Sequence, residues 1–294
     1  MSTIAYGAEK VKALQDALGG SLPAQARKQP RMHLDKFVAE RFEALKAARE
    51  EAARLNAPIR DRLFGHILKD DPLVKGSSEQ RRKVCERRLK RKIRQPETRR
   101  IEPRVLTGSN IWLKAPPYDD EWSSNDANGM AAADKAAGNY NMAVQAIGDG
   151  FHEAAAGIGV WFFYTASDPM QRVAALLDYS DDWWDVADLY VAHNDLRTRI
   201  WVWGDTEQNW VAQADLQPSW SDGASWFDHH GNDPAGDSGW ISIETYFPAE
   251  ANRWYEAWIW SDASVYGDGG FGGFGASSIH FSTAVPLVVF GGLT

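Results

Sequence analysis

Along the first third of the chain, apolar residues recur every three or four positions. Between Arg31 and Leu55 they are Leu34, Phe37, Val38, Phe42, Leu45, Ala48, Ala52 and Leu55, with charged residues between them. That spacing predicts an amphipathic helix of about seven turns, ended by Pro58. A shorter helix is expected over Gly7–Leu18, closed by Gly19 and Gly20. A third is expected from Ser78, its cap, to Pro96, its stop, with a thin apolar stripe of Val84, Cys85, Leu89 and Ile93.

Beyond residue 105 the period becomes two. Candidate strands are Asn110–Lys114, Tyr140–Ile147, Ile158–Ala166, Gln171–Tyr179, Val186–Ala192, Thr198–Gly204, Trp240–Phe247, Trp254–Trp260 and Ser278–Phe290, separated by Gly, Asn, Asp, Ser and Pro. Only 126–140 could hold a helix here, and its glycines fit a loop or extended segment equally well. Many short strands without intervening helices define a mostly β fold. The expectation is an antiparallel β-sandwich, jelly-roll-like, preceded by an α-helical N-terminal region.

Two of these strands carry the same phrase, Trp201-Val202-Trp203 and Trp258-Ile259-Trp260, each followed by a small residue and an aspartate. Alternate residues of a strand face opposite ways. Ile200 and Val202 therefore share one face and Arg199, Trp201 and Trp203 the other; Ala257 and Ile259 oppose Glu256, Trp258 and Trp260. A charged side chain rarely points into a sandwich core, so the aliphatic set is read as core and the tryptophans as outward. Outward indoles can stack on pyranose rings, or be covered by another subunit or by the helical segment. If the faces are reversed, they are core. Trp201, Trp203, Trp258, Trp260, Trp183 and Trp184 are the candidate ligand-binding residues.

Charge divides the chain at the same place as periodicity. The whole sequence of 294 residues has a net charge of −8, but residues 1–104 carry +12 and the remainder −20. All 14 tryptophans lie in the remainder. Two domains follow: 1–104, a basic helical region for docking and assembly, and 105–294, an acidic, Trp-rich β-sandwich. The opposed charges and an uncovered helix stripe favour self-association into a homo-oligomer. The basic patch of Arg81, Arg82, Lys83, Arg87, Arg88, Lys90, Arg91 and Lys92 fits contact with nucleic acid or an anionic membrane surface, or a solvated helix resting on acidic protein. The last reading is preferred, because the −20 remainder of the same chain is an available partner, and no aromatic residue interleaves the run to stack on bases. The single Cys85 excludes an internal disulfide. No apolar run suits a secretory signal or a membrane span, so the chain is expected in the cytoplasm at synthesis, with leaderless release left open.

Two stretches bear on chemistry. Asp228, His230, Asp233 and Asp237 offer ligands for calcium, or with His229 for zinc, but the spacing fails the EF-hand pattern and a polar loop explains it without a metal. No cofactor is otherwise expected. Asp178, Asp181, Asp182, Asp185 and Asp188 beside Trp183 and Trp184 suit a glycosidase cleft, or equally an acidic turn between strands. A nucleophilic triad lacks support, since no G-x-S-x-G elbow is present and Cys85 lies in the basic helix. The reading is a non-catalytic binding and assembly protein, with carbohydrate the leading small ligand. The alternatives are a glycan-acting hydrolase using residues 178–188, and a nucleic-acid or membrane adaptor working through residues 79–94.

Overall fold

The computed structural model describes residues 28–64, a few positions between 72 and 87, and 112–291 apart from 165–167, 188–189, 226–227, 233–235 and 271–272. Helix α1 (Gln29–Phe64) comes first. Thirteen strands follow: β1 (Trp112–Lys114), β2 (Asp120–Asn125), β3 (Gly129–Asp134), β4 (Asn139–Ile147), β5 (Gly150–Tyr164), β6 (Asp168–Ala187), β7 (Val191–Gly204), β8 (Asn209–Ser225), β9 (His229–Gly231), β10 (Asp237–Ala249), β11 (Arg253–Gly267), β12 (Gly269–Gly270) and β13 (Gly273–Phe290). The expected helices over Gly7–Leu18 and Ser78–Pro96 lie outside the described residues, apart from isolated positions of the second.

The strands form two antiparallel sheets. The first runs β10-β6-β13-β4-β3, with β1 and β12 also paired to β13 and β9 to β6; the second runs β2-β5-β11-β7-β8. Successive long strands cross from one sheet to the other except at the β7–β8 hairpin, which is jelly-roll connectivity. The core between the sheets is the aliphatic set that alternation assigned to it. Ile200, Val202, Ala257 and Ile259 meet Val144, Val173, Leu177, Ile279 and Phe281 of the first sheet. The two Trp phrases lie on neighbouring strands, with Trp201 directly opposite Trp258.

Their indoles point away from that core, yet they are buried. Eight of the 14 tryptophans sit on the outer face of the second sheet, among them Trp122, Trp161, Trp201, Trp203, Trp258 and Trp260. Gly157 and Gly159 on β5 make room for this layer. A Cβ at Gly157 would lie 2.3 Å from the Cβ of Trp260, and one at Gly159 would lie 2.8 Å from the ring of Trp258. Over the layer lies α1, which seats Leu34, Val38 and Phe42 against it. Phe37 meets Trp201 edge-on at 4.7 Å, and Trp122 Nε1 donates to Asp35 at 2.7 Å.

Three arginines tie α1 down at intervals. Arg31 pairs with Asp120, Arg41 with Asp195 and Asp262, and Arg60 with Asp268. The helix also continues through Pro58 for six more residues, past its expected end. An interior proline costs about 3 kcal/mol. Arg60 anchors the turns beyond it, lying 4.4 Å over the Tyr190 ring as well as pairing with Asp268. Docking within one chain covers the apolar stripe, one of the two grounds for expecting a homo-oligomer; the basic run that supplies most of the charge asymmetry lies largely outside the described residues. Among the described residues, no helix is long and apolar enough to cross a membrane.

The Phe42 side chain is buried in this second core, and Phe42→Ala is expected to remove ~3–5 kcal/mol of stability. Denaturant unfolding followed by tryptophan emission measures it. A loss below about 1 kcal/mol would mean that α1 does not cover the indoles.

Candidate functional site

The site is built from an inversion of polarity at one end of the sandwich. The inward row of β6 begins as Val173, Ala175 and Leu177, then turns to Tyr179, Asp181, Trp183 and Asp185. Facing it, β7 contributes Asn194 and β8 contributes Trp220 and Asp222. Short strand β9 continues the edge beyond β10 and places His230 opposite Asp185.

Hydrogen bonds join the two sheets here. Asn194 Nδ2 donates to Asp185 Oδ2 at 2.8 Å, and Trp220 Nε1 donates to Asn194 Oδ1 at 2.8 Å. Trp183 and Trp220 stack across the opening with centroids 5.9 Å apart, and both rings are half-buried. Asn232 Nδ2 donates to Asp181 Oδ1, while its Oδ1 accepts from the Trp183 backbone N–H. His230 lies between Asp222 at 3.2 Å and Asp228 at 3.0 Å.

Burial dominates the electrostatics. It lifts Asp181 to about 7, helped by the charges of Asp237 and Asp182. It lifts Asp185 to about 7 against the hydrogen bonds from Ser277 and Asn194. His230 is raised, first by its hydrogen bond to Asp222 and then by the surrounding carboxylates. Near neutral pH, Asp181 and Asp185 can each donate or accept a hydrogen bond, a versatility matched to hydroxyl groups.

The residues singled out in the sequence divide sharply. Trp201, Trp203, Trp258 and Trp260 are at most 2% exposed, which corrects the expectation that they present surface to a ligand: α1 occupies that surface. Trp184 is buried on the outer face of the first sheet against Phe274 and Ala276. Trp183 alone of the six is partly exposed. The run from Asp178 to Asp185 is no turn but the continuation of β6, so Asp181 and Asp185 face inward while Asp178 and Asp182 face the other way. Asp188 lies outside the described residues. Of the four proposed metal ligands, the three that are described do not converge. Asp228 and His230 meet, Asp237 falls beside Asp181, and Asp233 lies outside the described residues. No group of three or more His, Cys, Asp or Glu among the described residues could hold a metal ion. Of the basic patch, Arg82, Lys83 and Arg87 are described; all are exposed, and Lys83 pairs with Glu79 at 2.9 Å. Trp220 and Asp222 were missed because β8 is too polar for its alternation to announce a strand, and Asn194 because it falls in the polar stretch of β7 between two expected strands.

No protein-family model and no curated protein matches the chain. Among solved structures, similarity is found to TmCBM61 in complex with β-1,4-galactotriose, at 11% identity and a TM-score of 0.20, covering 60% of this chain and 90% of that one. The CBM22-1 xylan-binding domain of Paenibacillus barcinonensis Xyn10C matches at 7% identity and a TM-score of 0.21, covering 62% and 98%. The VP2 subviral particle of infectious bursal disease virus matches at 12% and 0.20, covering 63% and 38%. At these scores the properties of those proteins do not transfer to this chain.

The raised carboxyls set a pH dependence. Asp181 and Asp185 titrate near 7 in the folded chain and near ~3.9 when unfolded. The folded state therefore binds more protons between these values, and stability falls as pH rises through that window. Asp181→Asn and Asp185→Asn should each raise stability at pH 8, by up to ~4 kcal/mol, with little gain at pH 4. Thermal unfolding across pH 4–8 measures this, and an equal effect at both ends would rule it out.

Proposed function

We propose that the chain is a non-catalytic carbohydrate-binding protein whose ligand lies in the opening between β6, β8 and β9. One observation carries this reading. Trp183, which is partly exposed, stacks on Trp220 and stands between Asp181 and Asp185 in a single inward row. The rings offer flat apolar surface for the C–H face of a sugar. The carboxyls and the amides of Asn194 and Asn232 offer groups of both polarities for its hydroxyls.

A hydrolase is the second reading, favoured by the pKa of Asp185, which suits a general acid. The strand geometry weighs against it. Positions 181 and 185 lie four residues apart on one strand, roughly 13 Å between Cα atoms, whereas paired glycosidase carboxyls stand within about 9.5 Å.

Titrating neutral oligosaccharides while following tryptophan emission tests the proposal. Trp183→Ala should weaken binding at least tenfold. Trp240→Ala, which removes an exposed ring on β10, should leave it unchanged. Absence of any response to a broad glycan panel would end the proposal, and glycan turnover lost in Asp185→Asn would replace it with the hydrolase.

A further inference from the structure

A cavity of about 240 Å³ lies where the far half of α1 passes over the end of the second sheet, lined by Asn56, Arg60, Tyr190, His193, Gly223 and Ser225 among others. The helix changes character to form it. Leu34, Val38, Phe42 and Leu45 follow one stripe at three-and-four spacing, and the same stripe continues as Arg49, Asn56 and Arg60. Its apolar half covers indoles, and its polar half faces this space.

The sheet side is shaped to match. The ring of His193 lies over Gly223, where a Cβ would approach its Nδ1 to 2.1 Å. Nδ1 lies 3.3 Å from the Asp222 carbonyl oxygen and, in the neutral ring, donates to it, leaving Nε2 as an acceptor. Burial, then the charge of Arg49, keeps this histidine neutral. Tyr190 is 2% exposed, and its hydroxyl has no partner among the described residues. A buried hydroxyl without a partner costs roughly 1–3 kcal/mol, so its persistence points to a ligand that satisfies it. Arg60 reaches Asp268 through Nη1 and Asp61 through Nε, each at 3.4 Å, which leaves its Nη2 N–H groups for a further acceptor.

We propose that this cavity binds a single sugar acid, a pyranose carrying a carboxylate. Arg60 takes the carboxylate, with Arg49 adding to the positive field, while Tyr190, His193 Nε2 and Asn56 take ring hydroxyls. The volume falls just below the ~300 Å³ at which drug-sized pockets begin, so it suits one ring rather than a chain. This site is separate from the opening at Trp183, and the proposal does not rest on that reading.

Calorimetric titration of the full chain with galacturonic acid, galactose and inorganic phosphate tests it. Galacturonic acid should bind at least tenfold tighter than galactose, and phosphate should not compete at equal concentration. Tyr190→Phe deletes a hydroxyl without a described partner, so the fold should hold while galacturonic acid binds about tenfold more weakly. Arg60→Gln should reduce galacturonic acid to the level of galactose, and Trp240→Ala, which removes an exposed ring on β10, should change nothing. Equal binding of acid and neutral sugar, competition by phosphate, or wild-type affinity in Tyr190→Phe would overturn the proposal. Loss of galacturonic acid binding in Trp183→Ala would also overturn it, placing the ligand in the other site.

Discussion

Charged and polarisable groups on the outer face of a sheet, walled in by indoles, are the constraint around which this molecule is arranged. Asp262, Arg199 and Glu256 stand in that layer, each essentially excluded from water. An ion so placed costs several kcal/mol unless it is paired or neutralised. Asp262 meets both Arg199 and Arg41. Arg199 lies 4.6 Å over the Trp260 ring and remains a cation, although burial lowers its pKa to about 10. Burial and the neighbouring charge of Asp120 hold Glu256 well above the usual carboxylate range, so it stays neutral and accepts from Trp258 Nε1 at 2.6 Å. Arg41 belongs to α1. The helix is therefore a third layer that both roofs the aromatic surface and completes its electrostatics.

That roof inverts the usual polarity of a sandwich, with aromatic surface outside one sheet and carboxyls between the sheets at one end. The same inversion separates the two regions with binding chemistry. The opening at Trp183 lies between the sheets, where β8, the edge of the second sheet, faces β6 and the core gives way to Asp181, Asp185 and Asn194. The cavity beneath α1 lies outside the sandwich, where the helix stripe turns from leucine to arginine. Both occur where an apolar layer ends before its supporting elements do.

Much of this was legible in the sequence, for a definite reason. Alternation assigns a side chain to one of two faces, and it placed Ile200, Val202, Ala257 and Ile259 in the core and the tryptophans opposite. It does not report a third layer, so the burial of those tryptophans was invisible in the strands themselves. The complementary signal was the stripe of Leu34, Val38 and Phe42, which needed a partner but did not name one. Asp181 and Asp185 misled for another reason. Carboxyls imply solvent only while ionised, and burial allows these two to stay protonated near neutrality, so a buried strand looked like an acidic turn. Proline 58 ended a helix on local grounds, while Arg60 held the remaining turns through contacts with residues far along the chain.

The order of synthesis places α1 in a peculiar position. Leu34, Val38 and Phe42 are made early, but the surface that receives them is complete only after β11, when Trp258 and Trp260 take their places over Gly157 and Gly159. The sheet itself assembles from distant partners, since β5 pairs with β11 and β4 with β13, and such long-range pairing folds slowly, typically in milliseconds to seconds. Throughout that interval the helix stripe has no native cover. Of the described elements, the first to be made thus docks only after most of the sheet exists, and the growing chain carries an exposed amphipathic segment until then.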